Sequence, residues 1–507
     1  MKFLSILYKS GRVPNNIVEP KFMSDLNLDQ IINGIVQSQD KYNLKPFFYD
    51  TLHDINDITY RQDVMKDLEN LKLSPVLKEF TFGLSQIRDA HSKPYEYVYK
   101  YQREHNFLNL VGRYCKLIHS FTEDLSRIKF KSEGMRLFFD YLSDYQKSNQ
   151  YKNLLHQSEA ILDTLSEIKY SLRIKGLDVE VMPSTDKDDY GKDVVHFFSR
   201  LIYNPLKEGQ FLPSKGKSMN QIDECILERV AKLYPTIFEN VGAFYSNNQN
   251  FIPQTILRFE QEIQFYISYL DYISSIKLPV CFCYPILSNN REDIYANNCF
   301  DLSLAYKLSK EGGNLICNDF KLSGSERIMI VTGPNQGGKT TFARSFAQLH
   351  YLSSLGLTVP GNKAKLYLFD NIYTLFEREE NTADHRSKLE DDISHIYQIL
   401  QSATSHSIIV FNEIFTSTTA KDATYLSKEM MSKLLQLDLF CVWVTFIDEL
   451  SIISDKVVSM VSEVDKQNIN NRTFKILRKP ADGLAYALSI AKKHNVSYQQ
   501  IINRIQP

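Results

Sequence analysis

The spacing of hydrophobic residues predicts two different kinds of structure along the chain. In the first half, apolar residues recur every three to four positions, which is typical of amphipathic helices. We expect Asp25 to cap one helix, Pro46 to start another, and Ile58–Leu68 to form a third. Longer helices are predicted over residues 134–167 and from about Met219 to Lys277. The first half of the chain is therefore expected to be mostly helical.

One short stretch in this half changes to a period of two. Residues 168–182 alternate apolar and polar side chains on both sides of Gly176, which predicts a β-hairpin. At Pro279 the pattern changes again, and short apolar runs then alternate with helical segments, as in α/β nucleotide-binding domains. We therefore predict a mostly helical region over residues 1–278 and an α/β domain over residues 279–507.

Several apolar runs of the second half are predicted to be strands. Four of these strands are Ile328–Val331, Asn371–Phe376, Ser407–Phe411 and Leu439–Thr445. The runs Lys456–Val464 and Thr473–Leu477 are expected at sheet edges. Two further helices are predicted, one over Pro480–Ala491 and one from His494 onward.

The first of these strands leads directly into a glycine-rich turn. The turn and the start of the predicted helix Thr341–Leu355 read Gly333, Pro334, Asn335, Gln336, Gly337, Gly338, Lys339, Thr340 and Thr341. This run matches the phosphate-loop pattern G-x-x-x-x-G-K-[ST], in which backbone N–H groups and the helix N-terminus face phosphate oxygens. In that pattern Lys339 contacts the β and γ phosphates and the Thr340 hydroxyl is a ligand of Mg²⁺. The sequence thus predicts a site for ATP and Mg²⁺.

A second part of the same site is predicted at the end of the strand over 407–411. Four apolar residues are followed there by Asn412 and Glu413. A buried strand that ends in two acidic or amide residues places the first near Mg²⁺ and the second near the attacking water. We therefore assign Asn412 to the metal and Glu413 to general-base catalysis. Asn412 is unusual because its amide carries no negative charge.

Composition and charge set limits on the partners. The chain has 507 residues, 43% hydrophobic and 23% charged, with a net charge of −1. A neutral chain has no overall basic field for nucleic acid, so DNA contacts would have to come from local patches. Tyrosines alternate with basic residues in one such stretch, 95–127. An amphipathic surface helix with tyrosines at its margin is the alternative, and the more common, explanation.

Cysteine usage and hydropathy point to the cytoplasm. The seven cysteines include a C-x-C pair, Cys281 and Cys283, with no second pair at zinc spacing, which is typical of reduced thiols. No run approaches the roughly 18 apolar residues of a membrane-spanning helix, so none is expected.

These residues together resemble the ATPase domain of the MutS mismatch-repair family. Thr332–Thr341 is similar to that family's phosphate loop, and Asn412-Glu413-Ile414 is similar to its Asp-Glu-Ile. Ser387 falls at the position of the family's signature serine. Further similar positions are Asn318 and Asp319 before the loop strand, and Thr418, Thr419 and Asp422 after the Asp-Glu-Ile counterpart. The resemblance covers about residues 279–507 well and residues 22–278 only as a helical core and lever region with a shortened clamp.

The resemblance implies an α/β P-loop NTPase of the ABC class that hydrolyses ATP. It also implies a homodimer in which each ATP lies between one subunit's phosphate loop and the partner's signature serine, here Ser387, with DNA as a partner. Hydrolysis is expected to be slow, because Asn412 replaces the family's aspartate and Phe446 replaces its switch histidine. The N-terminal mismatch-reading domain is expected to be absent, since core-like helical sequence begins by residue 22. Phe121-Thr-Glu123 matches the F-x-E motif with which the family reads mismatches. It lies in the middle of a predicted helix, so we interpret the match as coincidence.

Two other functions fit parts of the pattern. The first is a nucleotide-gated scaffold that switches a protein partner with little hydrolysis, which suits the neutral net charge. The second is a P-loop kinase, which needs a lid rich in arginine, for which Arg378 and Arg386 are the candidates. The family resemblance favours the DNA-binding ATPase over both.

Overall fold

A computed structural model describes most of the chain. The described residues are 3–14, 17–37, 39–93, 99–176, 178–184, 221–377, 388–464, 472–481 and 496–505. Helices of the first half are α1 (Leu28–Val36), α2 (Lys45–Tyr49), α3 (Ile55–Leu68), α4 (Leu73–His91), α5 (Lys100–Ser126), α6 (Glu133–Lys147) and α7 (Asn149–Ser166). After the hairpin strands β1 (Tyr170–Lys175) and β2 (Asp178–Pro183) come α8 (Gln221–Leu233), α9 (Pro235–Asn247) and α10 (Gln254–Ser274). Strands β1 and β2 pair antiparallel around Gly176, where the sequence predicts the turn.

The chain folds into two compact units. No single boundary in the sequence separates them, because each unit contains several separate segments of the chain. One unit contains Asn70–Phe130 and Arg136–Glu260, and the other contains Leu4–Glu69, Lys131–Met135 and Gln261–Pro507. The segments before residue 70 thus belong to the same unit as the second half of the chain. The boundary near residue 278 remains a prediction about sequence organisation.

Stacked aromatic rings lie in the core of the unit that contains Asn70–Phe130 and Arg136–Glu260. Phe80 stacks on Phe121 with ring centroids 3.8 Å apart, and Phe138 stacks on Phe259. All four rings are buried. Because the Phe121 ring is enclosed among helices, its position agrees with the interpretation of Phe121-Thr-Glu123 as a coincidental match.

The start of α1 differs from the sequence prediction. The cap residue is Asn27, in a left-handed conformation with φ of 54°, rather than Asp25. The Asp25 carboxylate instead accepts a 2.6 Å hydrogen bond from the Thr374 hydroxyl. The residues before the helix form turns, and a side chain recruited by a distant strand is not available as a local cap.

The described residues of the second half form three sheets with helices between the strands. The first elements are β3 (Phe282–Cys283), β4 (Ile286–Ser288), β5 (Asp293–Cys299), α11 (Leu302–Glu311), β6 (Asn318–Ser323), β7 (Ile328–Thr332) and α12 (Lys339–Ser354). They are followed by β8 (Val359–Pro360), β9 (Lys363–Tyr367), β10 (Ile372–Phe376), α13 (Lys388–Ser402), β11 (Ile408–Asn412), α14 (Ala420–Leu437) and β12 (Phe440–Val444). The last elements are β13 (Val457–Val464), β14 (Arg472–Arg478) and α15 (Tyr498–Ile505).

The main sheet has six strands in the order β10-β11-β12-β7-β13-β14. All neighbours are parallel except β13 and β14. The parallel strands β7, β11 and β12 are buried along their whole length, as their continuous apolar runs predict. A second sheet has the order β4-β9-β5-β6, and β3 pairs with β8.

The position of β13 corrects the prediction of two edge strands. Of these two strands, β14 lies at an edge of the sheet as predicted, whereas β13 lies between β7 and β14. Its residues Val457, Val458, Met460 and Val461 are buried, which is the pattern of an internal strand. Ser459 and Ser462 interrupt the apolar run, so the local sequence pattern does not indicate this burial.

Helix α12 is the central helix of this unit. It packs on β11 and β12 and also on β8 and β9. Its side chains are therefore buried around most of the helix. Two polar side chains on it anchor the N-terminal segment, because Arg344 donates to the carbonyl of Asp25 and Gln348 donates to that of Leu26.

In the parts of the chain that the structure describes, no helix combines the length and apolar character needed to cross a membrane.

Candidate nucleotide site

The glycine loop joins the end of β7 to the start of α12. Gly333 and Gly338 adopt positive φ angles of 121° and 86°, which glycine adopts without steric cost. The loop lies against β13, since Ser462 Oγ donates a 2.7 Å hydrogen bond to the Gly337 carbonyl. A side-chain carbon on Gly337 would lie 2.3 Å from that same Oγ, so a larger residue has no space there.

The Lys339 ammonium lies inside this loop. Its Nζ donates to the carbonyls of Gly333 and Pro334 at 3.0 and 3.1 Å. The carboxylate of Glu413 lies 3.5 Å away, and only 3% of the lysine side chain is exposed. Desolvation lowers the pKa of Lys339, Glu413 opposes this shift, and the charge of Arg472 adds to it. The ring of Phe446 lies 4.5 Å from Nζ, within reach of a cation–π interaction.

Thr340 and Asn412 meet across the loop and the end of β11. The Thr340 hydroxyl donates a 2.7 Å hydrogen bond to the side-chain oxygen of Asn412. Asn412 is 8% exposed, so its amide is almost shielded from solvent. The structure therefore brings both residues that the sequence assigns to Mg²⁺ into direct contact.

Glu413 turns the chain away from the sheet immediately after β11. Its φ of 53° is in the left-handed region, which is uncommon for a residue with a side chain and concentrates at functional sites. Its N–H donates to the Val444 carbonyl of the neighbouring strand β12. This bond holds the backbone while the carboxylate faces Lys339.

A cavity of about 460 Å³ opens beside these residues. Polar groups line it, from the loop residues Gln336 to Thr341 and from Glu413. Apolar side chains of Leu304, Leu308, Ile316 and Phe474 also line it. A cavity that combines phosphate-binding groups with apolar side chains suits a nucleotide.

Sequence reasoning missed the apolar wall. Leu304 and Leu308 follow ordinary helical spacing in α11, so nothing in the sequence separates them from core residues. Phe474 is 48% exposed and has a φ of 57°. The buried Asn318 holds this segment, since its amide donates to the Phe474 carbonyl and its oxygen accepts from the Ile476 N–H. In the sequence, only the family resemblance distinguishes Asn318 from other asparagines.

The predicted residues that the structure describes either line this cavity or contact Lys339 or Thr340, which line it. Gly333, Pro334, Asn335, Gln336, Gly337, Gly338, Lys339, Thr340 and Thr341 form the loop and the helix start, and Asn412 and Glu413 face them. Ser387, Arg378 and Arg386 lie outside the described residues. Thr419 has a local role, because its hydroxyl caps α14 by accepting from the Asp422 N–H.

The donor set fits a nucleotide with Mg²⁺. Hydroxyl, amide and carboxylate oxygens are the ligands that Mg²⁺ prefers, and it keeps several waters and phosphate oxygens as further ligands. Thr340, Asn412 and Glu413 present one oxygen group of each kind. Among the described residues no group of three or more His, Cys, Asp or Glu forms a separate metal site, including the region of Cys281 and Cys283.

Comparison with known proteins shows that the second half of the chain is similar to one protein family. Residues 329–506 match the model of MutS domain V. The chain is 22% identical over 474 residues to DNA mismatch repair protein MutS of Borrelia hermsii, covering 87% of this chain and 53% of that protein. It is 20% identical over 357 residues to DNA mismatch repair protein MSH3 of Candida glabrata, covering 67% and 32%. The chain spans about a third to a half of the length of these curated relatives.

Proposed function

The chain belongs to the MutS family, and from that premise we propose that it binds ATP with Mg²⁺ at the glycine loop and hydrolyses it slowly. The observation that carries this proposal is that Lys339, Thr340 and Glu413 line one cavity, while Asn412 accepts a hydrogen bond from the Thr340 hydroxyl beside it. We also propose that the six-stranded sheet and its loop have the P-loop NTPase fold of the ABC class. The parallel order of β10, β11, β12 and β7 supports that assignment.

Each polar group of the cavity has a role in this proposal. Loop N–H groups and the N-terminus of α12 bind phosphate oxygens. Lys339 exchanges its contacts with the Gly333 and Pro334 carbonyls for phosphate oxygens. Thr340 and Asn412 hold Mg²⁺, which neutralises charge on the phosphates. Glu413 orients the attacking water and accepts its proton. Turnover is slow because Asn412 adds no negative charge and Phe446 offers no polar hydrogen to a phosphate.

The relatives suggest what this nucleotide cycle serves. They are named DNA mismatch repair proteins, and we propose that this chain binds DNA as an ATP-gated homodimer, on mismatch-related or branched substrates. In that dimer Ser387 reaches the partner's nucleotide. Mixing Lys339→Ala with Ser387→Ala subunits then restores one intact site per dimer and part of the activity. If the mixture were as inactive as either variant alone, this result would contradict the shared-site proposal.

A scaffold that switches a protein partner is the second candidate. The net charge of −1 favours it, because DNA-binding surfaces usually carry an excess of basic residues. It shares the nucleotide site with the first candidate and differs in its partner, which is a protein, and in hydrolysing little of the nucleotide.

One experiment separates the two candidates. The ATPase rate is measured for the purified chain alone and with linear, mismatched and branched DNA, at low and moderate salt. Stimulation by one DNA form that weakens with salt supports the DNA-gated ATPase. An ATPase rate that none of the DNA forms changes supports the scaffold. Lys339→Ala is the control. If this variant bound nucleotide with the same affinity as the unaltered chain, the proposed nucleotide site itself would be contradicted.

A further inference from the structure

The proposed general base, Glu413, begins a turn of unusual backbone conformation over residues 413–416. Two residues of this turn have positive φ angles, 53° at Glu413 and 62° at Phe415. This conformation is uncommon for residues with a side chain, and it persists where surrounding contacts hold it. The Phe415 ring is 4% exposed and lies in a hydrophobic cluster with side chains of β11, β12 and α14. The path of the turn therefore depends on contacts with other elements.

A carboxylate of α13 contacts the middle of the 413–416 turn. The Phe415 N–H donates a hydrogen bond to Asp392 Oδ2 over 3.4 Å. Asp392 is partly buried. Burial raises the pKa of its carboxyl, and the hydrogen bond from Phe415 and the charge of Lys388 oppose this rise. Because Phe415 is two residues after Glu413, this bond fixes the path of the chain directly after the base.

A second carboxylate contacts the end of the same turn. The Thr416 hydroxyl donates a 3.0 Å hydrogen bond to Oε1 of Glu377, the residue that follows β10. The same oxygen accepts a 2.6 Å hydrogen bond from the ammonium of Lys388, the first residue of α13. That hydrogen bond lowers the pKa of Glu377, so its carboxylate is charged at neutral pH. The end of β10 and the start of α13 thus fix the turn together.

We propose that Asp392 and Glu377 are positioning residues, which hold the Glu413 carboxylate where it can orient the attacking water. The proposal rests on the proposed nucleotide site and deepens it. Glu413 lines the cavity, whereas Asp392 and Glu377 are not among its described lining residues. Their contacts with the turn are therefore the route by which they affect hydrolysis. A catalytic group displaced by about 1 Å can lose most of its effect on the rate, so the turn controls the rate without touching the nucleotide.

The first test measures ATPγS affinity and single-turnover ATP hydrolysis in the same variants. Asp392→Ala removes the acceptor of the Phe415 N–H, whereas Asp392→Asn keeps an oxygen that can accept this bond. We expect Asp392→Ala to slow hydrolysis about tenfold or more, because Glu413 loses its position. ATPγS affinity should change less than about threefold, since the groups that bind phosphate are intact. Asp392→Asn should recover most of the rate.

Two further sets of variants extend this comparison. Asp391→Ala is the matched control, because it removes the neighbouring carboxylate, which lies in the first turn of α13. It measures what loss of an acidic side chain near the helix N-terminus does, and it should leave the rate within about twofold of the unaltered chain. Glu377→Ala and Glu377→Gln repeat the test at Thr416, with the same expected loss and the same recovery.

A double variant shows whether Asp392 acts through Glu413. In Glu413→Gln the position of the side chain no longer matters for accepting a proton. Adding Asp392→Ala to Glu413→Gln should therefore leave the slowed rate unchanged within about twofold. A further tenfold loss in the double variant would overturn the positioning role. An unchanged rate in Asp392→Ala alone, or an equal fall of affinity and rate there, would overturn it as well.

Failure of the proposed nucleotide site gives a different result. If the unaltered chain bound no nucleotide, or if Glu413→Gln hydrolysed ATP at the original rate, the assignment of the site or of the base would fail. If Glu413→Gln were slow while Asp392→Ala and Glu377→Ala kept the original rate, the site would stand and the positioning role of the two carboxylates would be contradicted.

Discussion

The hydroxyl of Thr340 donates a 2.7 Å hydrogen bond to the side-chain oxygen of Asn412. The two residues come from the start of α12 and the end of β11, so the contact depends on the parallel sheet between them. An amide oxygen accepts this bond as a carboxylate would, but it leaves the site one negative charge short. The chain therefore keeps the geometry that we propose for the Mg²⁺ site, and the missing charge should weaken its attraction for a divalent cation.

Restoring that charge is expected to strengthen the metal dependence. In Asn412→Asp, the Mg²⁺ concentration for half-maximal ATP turnover should fall, by roughly threefold to tenfold, since a carboxylate binds Mg²⁺ through electrostatic attraction as well as geometry. Asn371→Asp is the control, because it adds the same charge at the other end of neighbouring strand β10. Loss of turnover with an unchanged Mg²⁺ midpoint would mean that the amide group itself is needed.

Glu413→Gln should separate binding from hydrolysis. The amide keeps the size of the side chain but cannot accept a proton from water, so single-turnover hydrolysis should slow by about a hundredfold or more. Nucleotide affinity should hold or rise slightly, because Lys339 loses the carboxylate 3.5 Å away that competes with phosphate. Glu449→Gln serves as control, since Glu449 is exposed and pairs with Lys428. Hydrolysis at the original rate would assign the base to another residue.

Phe446 is expected to limit the rate rather than the affinity. In Phe446→His, an imidazole can donate a hydrogen bond to a phosphate oxygen, and the turnover number should rise severalfold, in line with about 1 kcal/mol for one such bond. Phe446→Leu keeps apolar volume and loses the ring that faces Lys339, so it measures the cation–π contribution alone. Equal turnover numbers in the two variants would show that the imidazole contributes nothing.

The parts of the fold that the sequence predicts are those with strong local patterns. The MutS resemblance is confirmed, as is the mixed helical and sheet character of the chain. Strands β7 and β11 were predictable because internal parallel strands are buried on both faces and read as unbroken apolar runs. The loop residues and Glu413 follow those strands directly, which is why their common location could be expected. Their chemical roles stay predictions until variants are measured.

The parts that the sequence does not predict depend on distant segments. The central position of β13 follows from pairing with β7, more than a hundred residues earlier in the chain. The apolar wall is formed by side chains of α11, of the segment just before β6 and of β14, which contributes an exposed phenylalanine. The hydrophobic pattern of each segment is ordinary when it is considered alone. The cap of α1 was assigned wrongly because Thr374 of strand β10 binds the Asp25 side chain. Long-range pairing decides all three, and periodicity carries no information about it.

Asp438 holds three cations at the amino ends of β7 and β12. Its carboxylate lies 2.8 Å from Lys456, 3.4 Å from Arg327 and 3.5 Å from Arg291. Burial alone would raise its pKa, but the hydrogen bond from Lys456 and the three positive charges outweigh this, and the pKa is lowered. Asp438 also ends α14 in the left-handed conformation with φ of 54°, which asparagine adopts as readily. Asp438→Asn therefore removes the charge and keeps the backbone.

This substitution should lower the free energy of unfolding by about 1–2 kcal/mol at pH 7, because three partly buried cations lose their common partner. A group with a lowered pKa in the folded state stabilises above its unfolded pKa of about 3.9 and loses that effect as the pH falls below it. The difference between the unaltered chain and Asp438→Asn in urea unfolding should thus stay constant from pH 7 to about 5 and shrink below about 4. Asp455→Asn, which removes a nearby exposed carboxylate bonded to Ser454, should leave stability within about 0.5 kcal/mol. A difference that persists unchanged at low pH would mean that the amide disturbs packing rather than charge.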